Sequence, residues 1–456
     1  MAKNSANRTL NQVYVATLVG LGFLWSGTAY MIQVYRLLTF FDEGTVNLLV
    51  CGLFYVLQAA GVGIVALLFA KRSTIAGGRA LPFCTSIAMV ACSGIAVFTP
   101  SAGVVIAAGT LLNLLIGALS ALYLTRLSTD IPQQRRGLVF GVAYAFGSIG
   151  TWLVSLPMDN KFLWHSESIF AIATLAAVSL LLLWRLFPPS RQERSDGRPG
   201  PEFSRKVIWL AAVVLFLLSL ENMLGFSFPL KSAAGSVHIE FTRAFYAVGL
   251  IIAGLVSDKN RRWGAICCLA ALAFPFAALA LGDSMAGETT MWMLAYLFLG
   301  FWSAHRILLF SDISAQKGRP ALAVIGLLVG RLGEAAGTFG ASLFTGTPLI
   351  VVAGIIFALV VALFFPLYQM LYATVTSPEE KEQHRFAEYV ARFGFSAREQ
   401  EIFALMIRGM SNAEIAATLY ITESTVKFHV GNIFKKTGLT SRSELITDYK
   451  LGYKVS

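Results

Sequence analysis

Between about residue 10 and residue 373 the chain alternates long apolar runs with short polar breaks. A helix needs ~20 apolar residues to cross the hydrocarbon core of a bilayer, and in that medium only helices and closed barrels satisfy their own backbone groups. Twelve such runs are expected, the first at 10–35, the eighth at 240–257 and the last at 348–373. With 56% of the 456 residues apolar and only 13% charged, a single water-soluble core cannot enclose that surface. The expected fold is all-α: a polytopic twelve-helix membrane bundle, six helices plus six, followed by a small four-helix domain. The first run is too long for a cleaved signal peptide, and no small-residue cleavage site follows it.

Basic residues between the runs set the orientation, because cytoplasmic loops hold an excess of Lys and Arg. Twenty fall on the N-terminal side, including the string from Arg185 to Lys206 and, in this tally, Arg306. The other side shows four: Arg36, Lys161, Lys231 and Arg243. Both ends of the membrane part are therefore expected in the cytoplasm. Pro188 to Lys206, rich in Pro, Gly, Ser and charge, divides six runs from six. The five cysteines all lie in apolar stretches without metal-ligand spacing and read as small core residues. No phosphate loop, HExxH or nucleophile pattern occurs, so no enzyme, metal or cofactor is expected.

Polar groups at membrane depth are unfavourable and usually face a cavity. Arg331 and Glu334 lie three residues apart in the eleventh run and share a helix face. Gln58, Asn113, Glu221, Asn222 and the His305–Arg306 pair are further candidates for binding a small molecule. Competing structural readings are an ion pair tying helices together for Arg331 and Glu334, and interhelical hydrogen bonding for Gln58 and Asn113. Tyr30, Tyr55, Tyr144, Trp152 and Trp302 read as an aromatic lining, or as ordinary lipid and core contacts.

Past residue 373 the chemistry changes. Ser396 with Glu399, Ser411 with Glu414 and Ser441 with Glu444 have the Ser-x-x-Glu spacing of a capping box. Gly409 and Gly438 stand where helices stop in a left-handed residue, and Thr422 can cap a third helix. Only Tyr420 and Ile421 separate that helix from its predecessor, the arrangement of a helix-turn-helix. On the third helix Val426, Val430 and Ile433 share one face, and Ser424, Lys427, Phe428, Gly431 and Lys435 the opposite one. Small, polar and basic residues there suit phosphate and base-edge contacts; a merely solvated helix is the plainer reading.

These spacings resemble the DNA-binding domain of LuxR-type transcriptional regulators. The match includes Ser396-x-Arg398-Glu399-x-Glu401-Ile402, Gly409-x-Ser411-Asn412-x-Glu414-Ile415-Ala416, Leu419, Thr425-Val426-Lys427-x-His429-Val430, Asn432-Ile433-x-Lys435-Lys436 and Arg442-Ser443-Glu444. The resemblance implies four helices, the third reading double-stranded promoter DNA and the fourth pairing two copies. Asn412, Thr422, Ser424, Thr425, Lys427, Phe428, Gly431, Lys435 and Lys436 are the implied DNA contacts. Gly431 departs from a longer polar side chain, and Thr437 from a leucine. From Ser377 to Ser456 there are 11 Lys or Arg against 10 Asp or Glu, although the whole chain carries +11. A nearly neutral domain binds phosphates weakly as a single copy.

The six-plus-six layout is similar to the major facilitator superfamily, whose halves pack around a central cavity. Gly254-x-x-x-Asp258-Lys259-x-Arg261-Arg262 resembles that family's cytoplasmic loop signature, whereas the matching loop of the first half, residues 70–79, lacks the acid. The expected domains are 1–373 (membrane sensor), 374–391 (linker) and 392–456 (DNA-binding). Together they predict a one-component regulator in the bacterial inner membrane that senses a small molecule and answers with its cytoplasmic helix-turn-helix. The alternative is a secondary transporter with a regulatory DNA-binding tail.

Overall fold

The computed structural model describes residues 2–72, 78–154, 157–158, 161–162, 166–186, 204–228, 244–281, 285–373 and 378–451. The chain divides into two compact units, Met1–Ala373 and Thr374–Ser456.

The first unit is built from α1 (Ala2–Leu38), α2 (Glu43–Lys71), α3 (Ala80–Phe98), α4 (Ala102–Asp130), α5 (Gln133–Val154) and α6 (Ser166–Leu186). Its second half contains α7 (Arg205–Phe226), α8 (Phe245–Lys259), α9 (Arg261–Leu281), α10 (Met285–Lys317), α11 (Ile325–Leu343) and α12 (Thr347–Ala373). Among the described residues, eleven helices are long and apolar enough to cross a membrane. The exception is α8, whose 15 residues reach ~22 Å at ~1.5 Å per residue, short of a ~30 Å hydrocarbon core. The run expected at 240–257 begins in residues 229–243, outside those described, so twelve full crossings are not established.

The six-plus-six arrangement is visible in which helices touch. In the first half α1 packs on α5 and α6, and α4 packs on α2 and α3. In the second, α7 packs on α11 and α12, and α10 packs on α8 and α9. Adding six to each number turns one set into the other, as an internal repeat requires. The halves meet through α5 against α8 and α2 against α11, a pair that the same operation exchanges. Glycines permit the first of these contacts. A Cβ on Gly141 would meet the Leu250 carbonyl oxygen at 2.3 Å, and one on Gly254 the Gly137 oxygen at 2.4 Å.

One interruption shapes the second contact. α2 widens into a π-turn over Leu48–Leu53, where the Cys51 carbonyl accepts from Thr338 of α11 at 3.4 Å. Such bulges insert a residue into the helix and leave a carbonyl for an outside donor. Arg306, tallied above with the loops, instead lies inside α10 and pairs with Glu334. Correcting that one residue leaves the charge asymmetry standing.

The second unit holds α13 (Pro378–Phe393), α14 (Ala397–Ile407), α15 (Asn412–Leu419), α16 (Glu423–Thr437) and α17 (Arg442–Leu451) around Ile402, Phe403, Met406, Ile415, Val426, Ile433 and Leu445. Both halves of the capping box form at Ser396–Glu399 and at Ser411–Glu414. At α17 only one does. The Glu444 amide donates to the Ser441 hydroxyl, but the carboxylate reaches one residue further back, to the Thr440 amide at 3.0 Å. Gly409 and Gly438 take positive φ as expected, joined by Gly394 and by one non-glycine, Tyr420 at φ 54°.

The stretch expected as linker, 374–391, is corrected by α13. The run Glu379-Glu380-Lys381-Glu382 reads as a charged tether, and one side of the helix leaves Glu382, Gln383, Ala387 and Glu388 exposed. Its other side places Tyr389 and Val390 in the domain core with Phe386 and Phe393 against it. The Tyr389 ring stacks on Phe403 with centroids 5.2 Å apart, and its hydroxyl donates to Asp448 at 2.7 Å. The four expected helices are present as α14–α17, with α13 as a fifth.

Candidate DNA-reading surface and membrane core

The turn between α15 and α16 is fixed from three sides. Ile421 donates its amide to the Ala416 carbonyl at 3.0 Å, closing α15 around the left-handed Tyr420. Arg398 of α14 reaches the Leu419 carbonyl at 3.2 Å. Thr422 then caps α16 by accepting from the Thr425 amide at 3.2 Å. With the start of α16 held, its two faces separate as the spacing predicts. Val426 and Ile433 are fully buried with Val430 beside them, whereas Ser424, Lys427, Phe428 and Lys435 are exposed.

That outer face presents three kinds of donor and contact. Thr422, Ser424 and Thr425 form a hydroxyl cluster, with oxygens 2.7 and 2.8 Å apart, at the positive end of α16. Helix N-termini with hydroxyls attract phosphate oxygens. Lys427 pairs with Glu423 one turn earlier at 2.9 Å, both exposed. Such a surface pair is worth only ~0.3–0.5 kcal/mol and yields readily to a better partner. Phe428 leaves 66% of its surface in solvent, an apolar plate of the kind that meets a thymine methyl. Gly431 has open space where a Cβ would stand. Asn412, half-buried, begins α15.

Lys436 differs from its neighbours. Its ammonium donates to Glu399 at 2.6 Å and to the Gly394 carbonyl at 2.9 Å, tying α16 to the start of α14. Burial acts to raise the Glu399 pKa, but Lys436 and the Ser396 amide and hydroxyl outweigh it and hold the carboxyl below its usual range. Arg442 donates to the Met406 and Met410 carbonyls and so closes α14. Thr437 returns its hydroxyl to the Ile433 carbonyl at 2.9 Å, so a polar residue at this half-buried place is satisfied within its own helix.

In the membrane unit the polar candidates sort into separate groups. Gln58 donates to Asn113 at 2.8 Å and Asn113 to the Gly109 carbonyl at 2.9 Å, a buried tie between α2 and α4 within one half. Arg331 and Glu334 pair at 2.7 Å, and Arg306 of α10 joins the same carboxylate at 2.8 Å. Glu221 and Asn222 are buried on α7, and Glu221 Oε2 has no hydrogen-bond partner among the described residues. Gln58 and Asn113 share no hydrogen bond with the arginine cluster among the described residues.

The loop signature has a partner that its spacing does not reveal. The Asp258 carboxylate accepts from the Gly137 and Leu138 amides, each at 2.7 Å. Arg261 joins Asp258 at 2.9 Å, Asp312 at 2.8 Å and the Gln133 carbonyl at 2.6 Å, while Arg136 meets Asp312 at 2.5 Å. The two halves are thus clasped at one end by charges from α5, α8, α9 and α10. Asp312 carries no local signal in the sequence, because its partners are 176 and 51 residues away.

Residues 394–448 match the bacterial regulatory proteins of the luxR family. Spore germination protein GerE of Bacillus subtilis (strain 168) is 33% identical over 61 residues, 13% of this chain and 82% of that protein. Transcriptional regulatory protein LnrK of the same organism is 46% identical over 59 residues, covering 13% of this chain and 26% of LnrK. Transcriptional activator protein EchR of Dickeya chrysanthemi is 48% identical over 52 residues, covering 11% and 21%. Apart from GerE, the chain thus spans about a quarter or less of these relatives. The membrane unit is similar to solved structures. The human organic anion transporter MFSD10 (TETRAN) aligns over 79% of this chain and 99% of its own at TM-score 0.52 and 18% identity. The major facilitator superfamily transporter FucP, in the outward conformation, aligns over 78% and 97% at 0.56 and 14%. At those identities the likeness shows the fold: the membrane unit is major-facilitator-like.

Proposed function

We propose, from the premise that this chain belongs to the luxR family of bacterial regulatory proteins through its last domain, that it is a membrane-integrated one-component transcription regulator. The last domain binds promoter DNA with α16 in the major groove, and the membrane unit senses a small molecule. The observation that carries the reading is the exposed stripe of α16, a row of hydroxyl, ammonium and aromatic groups on a helix whose start is capped and whose back is buried. Ser424, Lys427 and Phe428 face the bases in this reading; Asn412, Thr422, Thr425 and Lys435 meet phosphates.

The chain lies in the bacterial inner membrane with its N-terminus and last domain in the cytoplasm, the side favoured by the basic loops. Two copies pair through α17 on DNA. The side of α17 holding Asp448 and Tyr449 is already occupied by α13, through Tyr389 and Glu382, so pairing falls to the Ser443, Ile446 and Thr447 side. The second reading, a transporter with a regulatory tail, draws support from the repeated halves and their buried charges. Chromatin immunoprecipitation of the full-length protein tests the first. Discrete enriched promoters that vanish with Lys427→Ala at unchanged membrane abundance are expected; uniform or absent enrichment in the parent chain sinks it. Substrate uptake by a chain ending at Thr376 would favour the second.

A further inference from the structure

Two buried charged groups of the membrane unit, Arg306 and Glu334, and the half-buried Arg331 form one cluster whose charges do not balance. Glu334 of α11 accepts from Arg331 through Oε2 at 2.7 Å and from Arg306 of α10 through Oε1 at 2.8 Å. Both oxygens are used, so one carboxylate serves two guanidiniums. The Nε atoms of Arg306 and Arg331 are buried without a hydrogen-bond partner among the described residues. Arg306 is 3% exposed. Glu221 joins neither arginine. A surplus positive charge at such depth is unfavourable until an anion reaches it.

The surroundings narrow the choice of anion. Tyr55 of α2 lies under the Arg331 guanidinium at 4.2 Å, and Trp302 under Arg306 at 4.3 Å. Tyr30 of α1 stacks beside Tyr55 with centroids 6.3 Å apart. A guanidinium resting on a ring keeps its edge donors for a partner in its own plane, and that fork matches a carboxylate. Arg331, Tyr55 and Tyr30 remain partly exposed although they face other helices of the bundle, so an open space adjoins them. The space has flat aromatic walls and one unit of surplus charge. A phosphate dianion would reverse that charge, and its hydrated head finds little to bond on rings.

We propose that the membrane unit binds a planar organic monocarboxylate, its carboxylate bridging the free edges of Arg306 and Arg331 and its flat body among Tyr30, Tyr55 and Trp302. This rests on the reading that the membrane unit receives a small molecule. The test follows thermal unfolding of full-length protein in lipid nanodiscs with two matched series of acid, neutral amide and cation. These are benzoate, benzamide and benzamidine, and indole-3-acetate, indole-3-acetamide and tryptamine.

The expected result is a raised unfolding temperature with an acid of at least one series and none with its amide or cation. Arg331→Gln should abolish the shift. Should that variant fail to fold, Glu334→Gln serves instead. It removes the competing carboxylate and should tighten acid binding about tenfold, the reverse of what loss of a purely structural ion pair does. Equal protection by the amides, protection by the cations, or no protection in either series overturns the proposal. The sensing reading fails separately, if an acid binds yet leaves the output of the target promoter unchanged.

Discussion

The Lys436 ammonium lies 2.6 Å from a carboxylate oxygen of Glu399. Glu399 is buried, caps α14 and uses the same Oε2 atom to receive the Ser396 amide. A lysine in this position belongs to the frame of the domain. Lys436→Met is expected to destabilise the 374–456 unit by about 1–2 kcal/mol, since it removes the charged partner of a buried carboxylate but only half of the pair is shielded from solvent. Urea unfolding followed by circular dichroism measures it. Unchanged stability with weakened DNA binding would instead make Lys436 a phosphate contact.

Acid should loosen the same unit. Glu399 is held below its usual range as described, Glu414 by the Ser411 amide and hydroxyl, and Glu444 by the Thr440 amide and hydroxyl. A carboxyl whose folded pKa is depressed contributes stability above its unfolded value, ~4.3 for glutamate, and that stability is lost as pH falls through the folded pKa. Thermal melts should be flat from neutral pH down to about 5 and decline below about 4. Glu399→Gln should shift least in that acid range, at the cost of lower stability at neutral pH.

On DNA, Lys427→Ala should cost about 1–3 kcal/mol of discrimination between target and scrambled sites. Lys435→Ala should weaken both sites alike and reduce the salt slope by about one. Fluorescence anisotropy across a salt series separates them. Equal loss on both sequences for Lys427→Ala would assign that side chain to the backbone.

Gly431 sits inside α16 with nothing within 4 Å of its missing Cβ. Gly431→Ala should therefore stabilise the unit by about 0.5–1 kcal/mol, the helix-propensity gain at an unhindered site. A stable variant that loses DNA affinity would show that the helix backbone itself approaches the duplex there.

Topology reporters provide the last check. Fusions after Arg194 and after Ser456 should report cytoplasm, and an insertion near Lys161 the opposite side. A cytoplasmic signal at Lys161 would overturn the even-numbered span arrangement.

What the sequence revealed and what it hid follow from distance along the chain. The Ser396 and Ser411 caps, the two faces of α16 and the Arg331–Glu334 pair are relations between residues three or four apart, which helix geometry fixes before any tertiary contact forms. Even the Gln58–Asn113 bond was legible in kind, since amides in spans seek partners. Arg306 on Glu334, Asp312 between two arginines and Lys436 on Glu399 join residues 28 to 176 apart. Nothing in their neighbours announces them. α13 is hidden for the same reason: its charged run is visible locally, whereas Phe386, Tyr389 and Phe393 acquire their role only against a core built from later helices.

The π-turn of α2 has a consequence for everything downstream in that helix. One residue added to a single turn rotates the following segment by ~100°, so Tyr55 and Gln58 point where a continuous α-helix would not aim them. Deleting any one residue of Leu48–Leu53 would let the turn relax to regular pitch. Loss of the residue and relaxation of the turn cancel, so Tyr55 would stay beneath Arg331 and Gln58 on Asn113, whereas straightening the turn at full length would swing both away. The aromatic wall that α2 supplies beneath Arg331 thus hangs on the phase of one helix, set by a single extra step in its winding.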